Sequence, residues 1–229
     1  MFLFTARTNK YNISLHFIEG IYLFISLRTS GIRAVLCNLG VACMPSTLQL
    51  IDEDIHLRPF RFTDAAGLYT AVHESLEDLK PWMSWATDDY TEMTAREYIT
   101  IARARWDEHT FYAFAITRAD EILGACTLSS IHPIYHFCNL GYWVRTACRG
   151  RGIAGRAAKL AARFAFEHLG LIRVEIVIGI GNEASRRVAQ KIGAHDEGIL
   201  LNRMVVGRSI RDAHMYSLLP SDFGLVPRL

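Results

Sequence analysis

The pattern of apolar and polar residues predicts a sheet of several strands interrupted by helices. From Ile153, apolar or small residues recur at helical spacing, whereas Arg156 and Lys159 fall on the opposite face. Residues 137–144 are aromatic and β-branched, which favours a strand. Further strands are predicted at residues 49–60, 111–117, 122–131 and 172–178, around 199–201 and at 214–219, and further helices at 65–76, 95–108 and 183–192. The order βααβββαβαββ implies an α/β (α+β) fold with a mixed sheet and helices on both faces.

A turn rich in glycine and arginine connects the strand at 137–144 to the helix that begins at Ile153. It reads Cys148-Arg149-Gly150-Arg151-Gly152-Ile153-Ala154-Gly155-Arg156. Glycines let the backbone curl with its N–H groups inward, and the first turn of a helix adds unpaired donors and a positive dipole end. The turn is therefore typical of a cradle for phosphate or pyrophosphate, although a plain solvated turn explains the same residues equally well.

Two familiar phosphate motifs fit this turn poorly. A P-loop requires Lys-Ser or Lys-Thr after its last glycine, and neither follows Gly155. The stretch from Gly150 to Gly155 matches the dinucleotide fingerprint in its letters. However, the acidic residue expected about twenty positions further on has only Glu175 as a candidate, within the next strand. This context argues against a Rossmann site.

Composition and charge narrow the classes of function. The chain has 229 residues, which suits one domain and leaves room for an appendage. Its 25 Lys and Arg residues nearly balance 23 Asp and Glu residues, so nothing in the charge calls for nucleic acid or a membrane as partner. Five cysteines without CxxC spacing favour free thiols in a reducing compartment, hence a cytoplasmic protein. Nine scattered histidines without an HExxH motif give no argument for a metal site.

The first 43 residues differ from the rest of the chain. Residues 13–27 are apolar and β-branched, but His16 and Glu19 interrupt them, so they fall short of a membrane span and make a poor signal peptide. Ordinary domain-like sequence begins directly after Met44. We expect residues 1–43 to be a dispensable or mis-assigned leader, residues 44–222 to be the domain, and residues 223–229 to be a C-terminal tail.

The motifs of the domain resemble those of the GNAT N-acetyltransferases. Arg149-Gly150-Arg151-Gly152-Ile153-Ala154 matches the Arg/Gln-x-x-Gly-x-Gly/Ala signature of that superfamily. Its neighbours agree with the superfamily, with Leu140-Gly141-Tyr142-Trp143-Val144 before it and Asn182-Glu183-Ala184-Ser185 and Lys191-Ile192-Gly193-Ala194 after it. Further blocks resemble its RimJ/RimL-like branch, namely Leu57-Arg58-Pro59, Leu79-Lys80-Pro81-Trp82, Glu197-Gly198, Gly207-Arg208 and Arg211-Asp212. The resemblance implies a GNAT-type sheet, mixed and mostly antiparallel, with a splayed central strand pair. Independently of the resemblance, Gly141 inside the strand at 137–144 is a candidate for a β-bulge or a close approach.

The resemblance also implies acetyl-coenzyme A as the co-substrate and no metal. In the family the turn holds the pyrophosphate, and free backbone groups of the preceding strand pair with the pantetheine arm. The cofactor-binding residues that follow from this are Tyr142, Trp143, Val144, Arg149, Gly150, Arg151, Gly152, Ile153, Ala154, Gly155 and Asn182. The implied reaction is direct transfer of the acetyl group to a primary amine, either a protein N-terminus or a small molecule.

The catalytic and acceptor-binding residues are predicted by position. Ser185 matches a site from which a hydroxyl approaches the coenzyme sulfur, and Asn182 one that contacts the coenzyme arm or a water. Many relatives carry Glu before Leu/Ile-Gly-Tyr, but here that residue is Asn139, which leaves Glu175 as the best carboxylate for a general base. His132 and His136, or a water, are alternatives for this proton. Trp82 and Trp85, together with residues 202–211, are predicted to shape the acceptor pocket, without indicating a particular amine.

Three functional hypotheses remain open from sequence. The first is an acetyl-coenzyme A-dependent N-acetyltransferase, monomeric or homodimeric. The second is a non-catalytic module or sensor that binds acyl-coenzyme A, because Asn139 stands where a carboxylate is usual. The third is a nucleotide-binding domain of another class. Turnover with amines separates the first hypothesis from the second, and ligand-induced stabilisation separates both from the third.

Overall fold

A computed structural model describes residues 48–227, which build eight strands and five helices. The strands are β1 (Leu50–Asp52), β2 (Ile55–Pro59), β3 (Tyr112–Arg118), β4 (Glu121–His132), β5 (Phe137–Val144), β6 (Arg173–Gly179), β7 (His195–Val206) and β8 (Ser209–Leu218). The helices are α1 (Ala65–His73), α2 (Leu76–Leu79), α3 (Glu92–Asp107), α4 (Ile153–Glu167) and α5 (Glu183–Lys191). The expected leader, residues 1–43, lies outside the described residues. No helix within 48–227 combines the length and apolar character needed to cross a membrane.

The strands form one sheet in the order β1-β2-β3-β4-β5-β6-β8-β7, antiparallel except for the β5–β6 pair. Successive side chains of β3 point to opposite faces of the sheet, and helices cover both faces. Ala113 and Ala115 belong to a buried cluster with residues of α1 and α3. Phe114, on the other face, packs edge-to-face against Phe164 of α4, with ring centroids 5.3 Å apart. The predicted fold, a mixed and mostly antiparallel sheet between helices, is confirmed.

The central parallel pair is short, and this opens the sheet. β5 and β6 are paired only from Phe137↔Arg173 to Asn139↔Glu175. Beyond that point each strand keeps its outer neighbour, since β5 pairs with β4 up to Val144 and β6 pairs with β8 up to Gly179. The inner edges of both strands therefore face a gap, which confirms the expected splayed pair.

The bulge expected at Gly141 is absent, and the close approach is present. The β4–β5 register runs without a shift from Gly124↔Val144 through Thr127↔Gly141 to Ser129↔Asn139. A Cβ on Gly141 would lie 3.0 Å from the Thr127 Oγ1 atom, tighter than ordinary contact. The glycine therefore serves the packing of two regular strands.

Two hairpins differ from the sequence prediction. The single strand predicted at 49–60 is two strands, with a tight turn at Glu53, whose φ is +50°. Arg156 of α4 holds this turn, because its Nε donates to Asp52 Oδ2 at 2.7 Å and its Nη1 to Asp54 Oδ1 at 3.0 Å. The closing hairpin has longer strands than predicted and, in place of a long loop, a two-residue turn at Gly207 and Arg208.

Candidate active site

The gap between β5 and β6 continues into a cleft of about 1620 Å³. Its walls come from the inner edges of β5 and β6, the turn before α4, the first turn of α5, the loop after α2 and part of β7. A cleft of this kind offers strand edges with free N–H and C=O groups to an extended ligand.

The turn before α4 forms the predicted cradle. Gly150 and Gly152 have φ of +75° and +76°, and a Cβ on either would meet no atom within 4 Å, so glycine is needed there for its backbone conformation. The first helical hydrogen bond is donated by the Arg156 N–H to Gly152 O at 3.1 Å. Within residues 48–227 no acceptor is found for the N–H groups of residues 150–155, which leaves a row of free donors at the positive end of α4.

Gly155 has a different role from the other two glycines. A Cβ on this residue would lie 3.2 Å from Ile192 Cγ2, in the segment that ends α5. Gly155 therefore lets α4 and α5 approach closely, although it also lines the cleft.

Of the two arginines in the turn, Arg149 lies at the cleft and Arg151 does not. Arg149 lines the cleft but forms an ion pair with Asp78, with 2.9 Å between Nη1 and Oδ1. The Thr146 hydroxyl donates to Asp78 Oδ2 at 2.6 Å, and this bond together with Arg149 lowers the pKa of Asp78. Arg151 is exposed and is not among the residues that line the cleft.

The cleft carries an excess of unpaired positive charge. Each lining carboxylate has a cationic or imidazole partner, in the pairs Asp52–Arg156, Glu77–Lys80, Asp78–Arg149, Glu183–Arg186 and Asp222–His195. Four lining cations have no carboxylate partner in the described part of the chain: Lys159 of α4, Arg187 and Lys191 of α5, and Arg203 of β7. Lys159, Arg187 and Lys191 project from the helices that flank the cradle, and the sequence did not indicate them as site residues. Arg203, in contrast, falls in the segment 202–211 that is predicted to shape the acceptor pocket.

Asn182 and Ser185 lie together at the first turn of α5. Asn182 is the N-cap, and its Oδ1 accepts from the Ser185 N–H at 3.1 Å. The Ser185 hydroxyl donates to the Tyr142 hydroxyl oxygen at 3.1 Å, and the Tyr142 hydroxyl donates to the Ser185 carbonyl at 3.1 Å. Burial raises the pKa of Tyr142 to about 12, so this phenol stays protonated at neutral pH.

Glu175 and Asn139 are neighbours at the point where β5 and β6 part. The Glu175 carboxylate accepts from Arg173 Nε at 2.9 Å and is not among the lining groups. Asn139 does line the cleft, and its Oδ1 is buried without a hydrogen-bond partner in residues 48–227. His132 and His136 do not line the cleft, and the His132 Nδ1 atom accepts from the N–H groups of its own turn.

The structure brings one of the two predicted tryptophans to the cleft. A Cβ on Gly179, at the end of β6, would lie 3.6 Å from Trp82 Cε3. Arg211 holds the Trp82 loop, since its Nη1 donates to Pro81 O at 2.9 Å and its guanidinium lies 5.9 Å from the Trp82 ring. Trp85 is outside the lining and packs 6.1 Å from Trp143, centroid to centroid.

Residues 48–227 contain no group of three or more His, Cys, Asp or Glu side chains placed to hold a metal ion. The candidate site therefore consists of strand edges, a row of N–H donors, unpaired cations and a small set of hydroxyl and amide groups.

Comparison with known proteins identifies the family. Residues 54–195, more than half of the chain, match the family model of the acetyltransferase (GNAT) domain. YdaF of Bacillus subtilis, provisionally named a ribosomal N-acetyltransferase, is 27% identical over 174 residues, which are 76% of this chain and 95% of YdaF. The Probable N-acetyltransferase YjcK of the same organism is 30% identical over 176 residues, 74% of this chain and 96% of YjcK.

The solved structure of RimL, a ribosomal L7/L12 alpha-N-protein acetyltransferase in complex with coenzyme A, has the same fold. The TM-score is 0.70 at 18% identity, and the match covers 75% of this chain and 98% of RimL. The chain therefore belongs to the GNAT family of acetyltransferases and resembles its RimJ/RimL-like branch, as its motifs indicate.

Proposed function

We propose that the protein transfers the acetyl group of acetyl-coenzyme A to a primary amine in the cytoplasm. The observation that carries this proposal is the open wedge between β5 and β6, which leads to the N–H donors of residues 150–155. The names of YdaF and RimL support a protein N-terminus as acceptor, with a small-molecule amine as the other option. Buried free thiols at Cys126, Cys138 and Cys148 fit a reducing compartment.

The proposed donor site uses separate features for separate parts of coenzyme A. The pyrophosphate lies on the free N–H groups of the turn, where the α4 dipole adds positive potential. Lys159, Arg187 and Lys191 supply the charge for the phosphates, because Arg149 is already paired with Asp78. The pantetheine arm then runs between β5 and β6 and pairs with the inner edge of β5 at Tyr142, Trp143 and Val144.

The proposed chemistry is a direct attack of the amine on the thioester carbon. The C–N bond forms, the C–S bond breaks, and a backbone N–H of β5 stabilises the carbonyl oxygen as it gains charge. Ser185, bonded to the protonated Tyr142, gives a proton to the leaving thiolate, and it regains a proton, through water, from the nitrogen that becomes positively charged when the C–N bond forms. Asn182 holds Ser185 in place by capping α5.

The amine must lose a proton, and the site suggests how. Glu175 was the predicted base, but its carboxylate is held by Arg173 and stands outside the cleft lining. The proposed route therefore passes the proton to water. The buried Oδ1 of Asn139 accepts a hydrogen bond from the amine and orients its lone pair toward the thioester.

A non-catalytic module that binds acyl-coenzyme A is the second candidate. The observation that favours it is Asn139, an amide where a carboxylate is usual, at the point where β5 and β6 separate. Both candidates predict binding of coenzyme A, and only the enzyme releases free thiol from acetyl-coenzyme A when amines are added.

The first experiment compares two aspartate variants at glycines of similar backbone geometry. Gly152 and Gly170 have φ of +76° and +64°, and neither has an atom within 4 Å of an added Cβ. Both Gly152→Asp and Gly170→Asp therefore lose about 1–2 kcal/mol of stability from left-handed strain. Only Gly152→Asp places a carboxylate in the cradle.

In calorimetry, Gly152→Asp is expected to weaken coenzyme A binding at least about 100-fold by charge repulsion and steric conflict with the phosphates, whereas Gly170→Asp keeps the native affinity. Equal affinity of the two variants would remove the pyrophosphate assignment. Thiol release by the native protein with a panel of peptides and amines then decides between enzyme and binding module.

A further inference from the structure

Arg203 of β7 stands at an irregularity of the closing hairpin. Leu200 pairs with Ala213 and Met204 pairs with Arg211, so three residues of β7 face one residue of β8. Asn202, in the middle, has φ of +53°, and its N–H donates to Asp212 Oδ1 at 2.8 Å. Bulges redirect side chains, and here Arg203 is one of the residues that line the cleft.

The neighbours of Arg203 place it beside the predicted acceptor wall. A Cβ on Gly179 would lie 3.5 Å from Met204 Sδ and 3.6 Å from Trp82 Cε3, so the residue after Arg203 and the Trp82 ring both lie against the end of β6. The donor cradle belongs to other elements, namely the end of β5 and the start of α4. Arg203 is thus separated by fold position from the three cations that serve the phosphates.

The charge of Arg203 is uncompensated among residues 48–227. Every lining carboxylate is already engaged in its own pair, and none of them pairs with Arg203. The other arginine at this wall, Arg211, is occupied with Pro81 O and the Trp82 ring. A guanidinium with free donors binds carboxylates through charge-assisted and often bidentate hydrogen bonds, and it repels additional ammonium groups.

We propose that Arg203 binds a carboxylate of the acceptor, so that the substrate is an amine carrying a nearby acidic group. This inference rests on the proposed transferase function and specifies its substrate class. The carboxylate belongs either to an acidic side chain close to a peptide N-terminus or to a free amino acid. Polyamines, which bring a second positive charge to Arg203, are disfavoured acceptors.

The experiment measures thiol release with peptides of one length that differ only at the second and third residues, which are acidic, neutral or basic. Free glutamate and spermidine complete the panel. The native protein is expected to favour an acidic acceptor over a basic one by about tenfold or more in kcat/KM. The peptide and glutamate arms distinguish the two sources of the carboxylate.

Three variants connect the preference to Arg203. Arg203→Gln is expected to lower kcat/KM for the acidic acceptor about tenfold. This is the low end of the range for a hydrogen bond between charged groups, because Arg203 is exposed. The kcat/KM for the neutral peptide is expected to stay within about twofold of the native value. Arg203→Glu reverses the ranking of acidic and basic acceptors. Arg208→Gln is the matched control, since Arg208 is an exposed arginine of the same hairpin that does not line the cleft, and it keeps the native ranking.

Each outcome has one meaning. Equal turnover of acidic and basic acceptors by the native protein, or an unchanged ranking in Arg203→Glu, would overturn the carboxylate contact while the transferase function stands. Absence of thiol release with every acceptor would overturn the transferase function and this inference with it. A preference that Arg208→Gln also abolishes would show a general effect of surface charge and would contradict the specific contact.

Discussion

At the scale of single residues, the buried side-chain oxygen of Asn139 lowers the stability of the free protein, because no hydrogen bond compensates for its burial. A buried polar atom without a partner costs about 1–3 kcal/mol, and the Asn139 Oδ1 atom has none in residues 48–227. Asn139 lines the cleft, so a ligand that displaces the neighbours of this atom there can supply a partner. The proposed contact to the acceptor amine gives it that partner.

The prediction is that Asn139→Leu separates stability from activity. Removing the unpaired amide is expected to leave the free energy of unfolding unchanged or to raise it by up to about 1 kcal/mol. The kcat/KM for amines falls at least about tenfold, with unchanged affinity for coenzyme A. Urea unfolding, calorimetry and thiol release measure the three quantities. A variant that loses stability and keeps its turnover of amines would identify Asn139 as a structural residue.

Some site residues were accessible from the sequence and others were not. The glycines of the cradle could be predicted, because their spacing and the helix after them are local signals. The Ser185–Tyr142 contact joins residues 43 apart, and it depends on how α5 packs beside β5. Arg203 depends on a bulge that Asp212 fixes from the neighbouring strand. No local pattern encodes either arrangement.

At the scale of elements, a network of ionic side chains joins β6, β7 and β8. Arg173 of β6 donates to Glu175 Oε1 at 2.9 Å and to Glu197 Oε1 of β7 at 2.7 Å. The Ser217 hydroxyl of β8 donates to the same Glu197 oxygen at 2.6 Å. These contacts, with Arg173 first, lower the pKa of Glu197 to about 2. The network lies where β6 begins, next to the residues at which the sheet opens.

The second prediction concerns the pH dependence of this network. The pKa of Glu197 is lower in the folded protein than its ordinary value of 4.5. Its stabilising contribution is therefore fully present above pH 4.5 and is lost as the pH falls toward 2. Glu197→Gln is expected to cost about 1 kcal/mol at pH 7, a value reduced for partial exposure, and progressively less below pH 4.5.

Urea unfolding of the native protein and Glu197→Gln at several pH values between 7 and 2.5 tests this prediction. Glu92→Gln is the control, because Glu92 forms an exposed pair with Arg96 one helical turn away, and its effect stays within a few tenths of a kcal/mol. A difference between native protein and Glu197→Gln that is the same at pH 7 and at pH 3 would contradict the assigned pKa.

The bounds of helices and strands could be predicted where local sequence sets them, and not where a distant residue does. β5 has the predicted bounds and α4 begins at the predicted residue, because apolar periodicity and the glycine turn define them locally. The β1–β2 hairpin was missed, since its turn consists of three acidic residues that Arg156 holds from about a hundred positions away. α3 begins at Glu92 rather than at residue 95, because Thr91 is its N-cap, and the hydroxyl groups of Thr91 and Thr94 hydrogen-bond each other.

At the scale of the whole molecule, the net charge does not indicate how many cations of the cleft are unpaired. The chain carries 25 basic and 23 acidic residues, and this near balance by itself does not call for an anionic partner. The fold neutralises the carboxylates of the cleft in local pairs and leaves four cations free. Pairing is a tertiary property, so composition could not predict a cleft that suits a ligand with several phosphates.

The last prediction is that a chain beginning at Met44 folds and keeps the activity of the full chain. The family model matches residues 54–195, and the alignment to YdaF covers 95% of that protein with 174 residues of this chain. Residues 48–227 supply a sheet of eight strands and a set of buried residues of their own. We therefore expect the melting temperature with coenzyme A to shift by less than about 2 °C, since 1 kcal/mol corresponds to about 2–4 °C at this size.

A chain beginning at Arg61 is the matched control for the Met44 start. It lacks Ile55 and Leu57, both 0% exposed, and it removes Arg58 from the buried Asp64 carboxylate, to which the arginine donates at 2.7 Å and 2.9 Å. Breaking a buried ion pair and emptying two core positions costs more than a domain of this size can lose. The shorter chain should therefore be insoluble or unfolded. If the chain beginning at Met44 were also insoluble, or soluble without thiol release while the full chain is active, residues 1–43 would be part of the working protein.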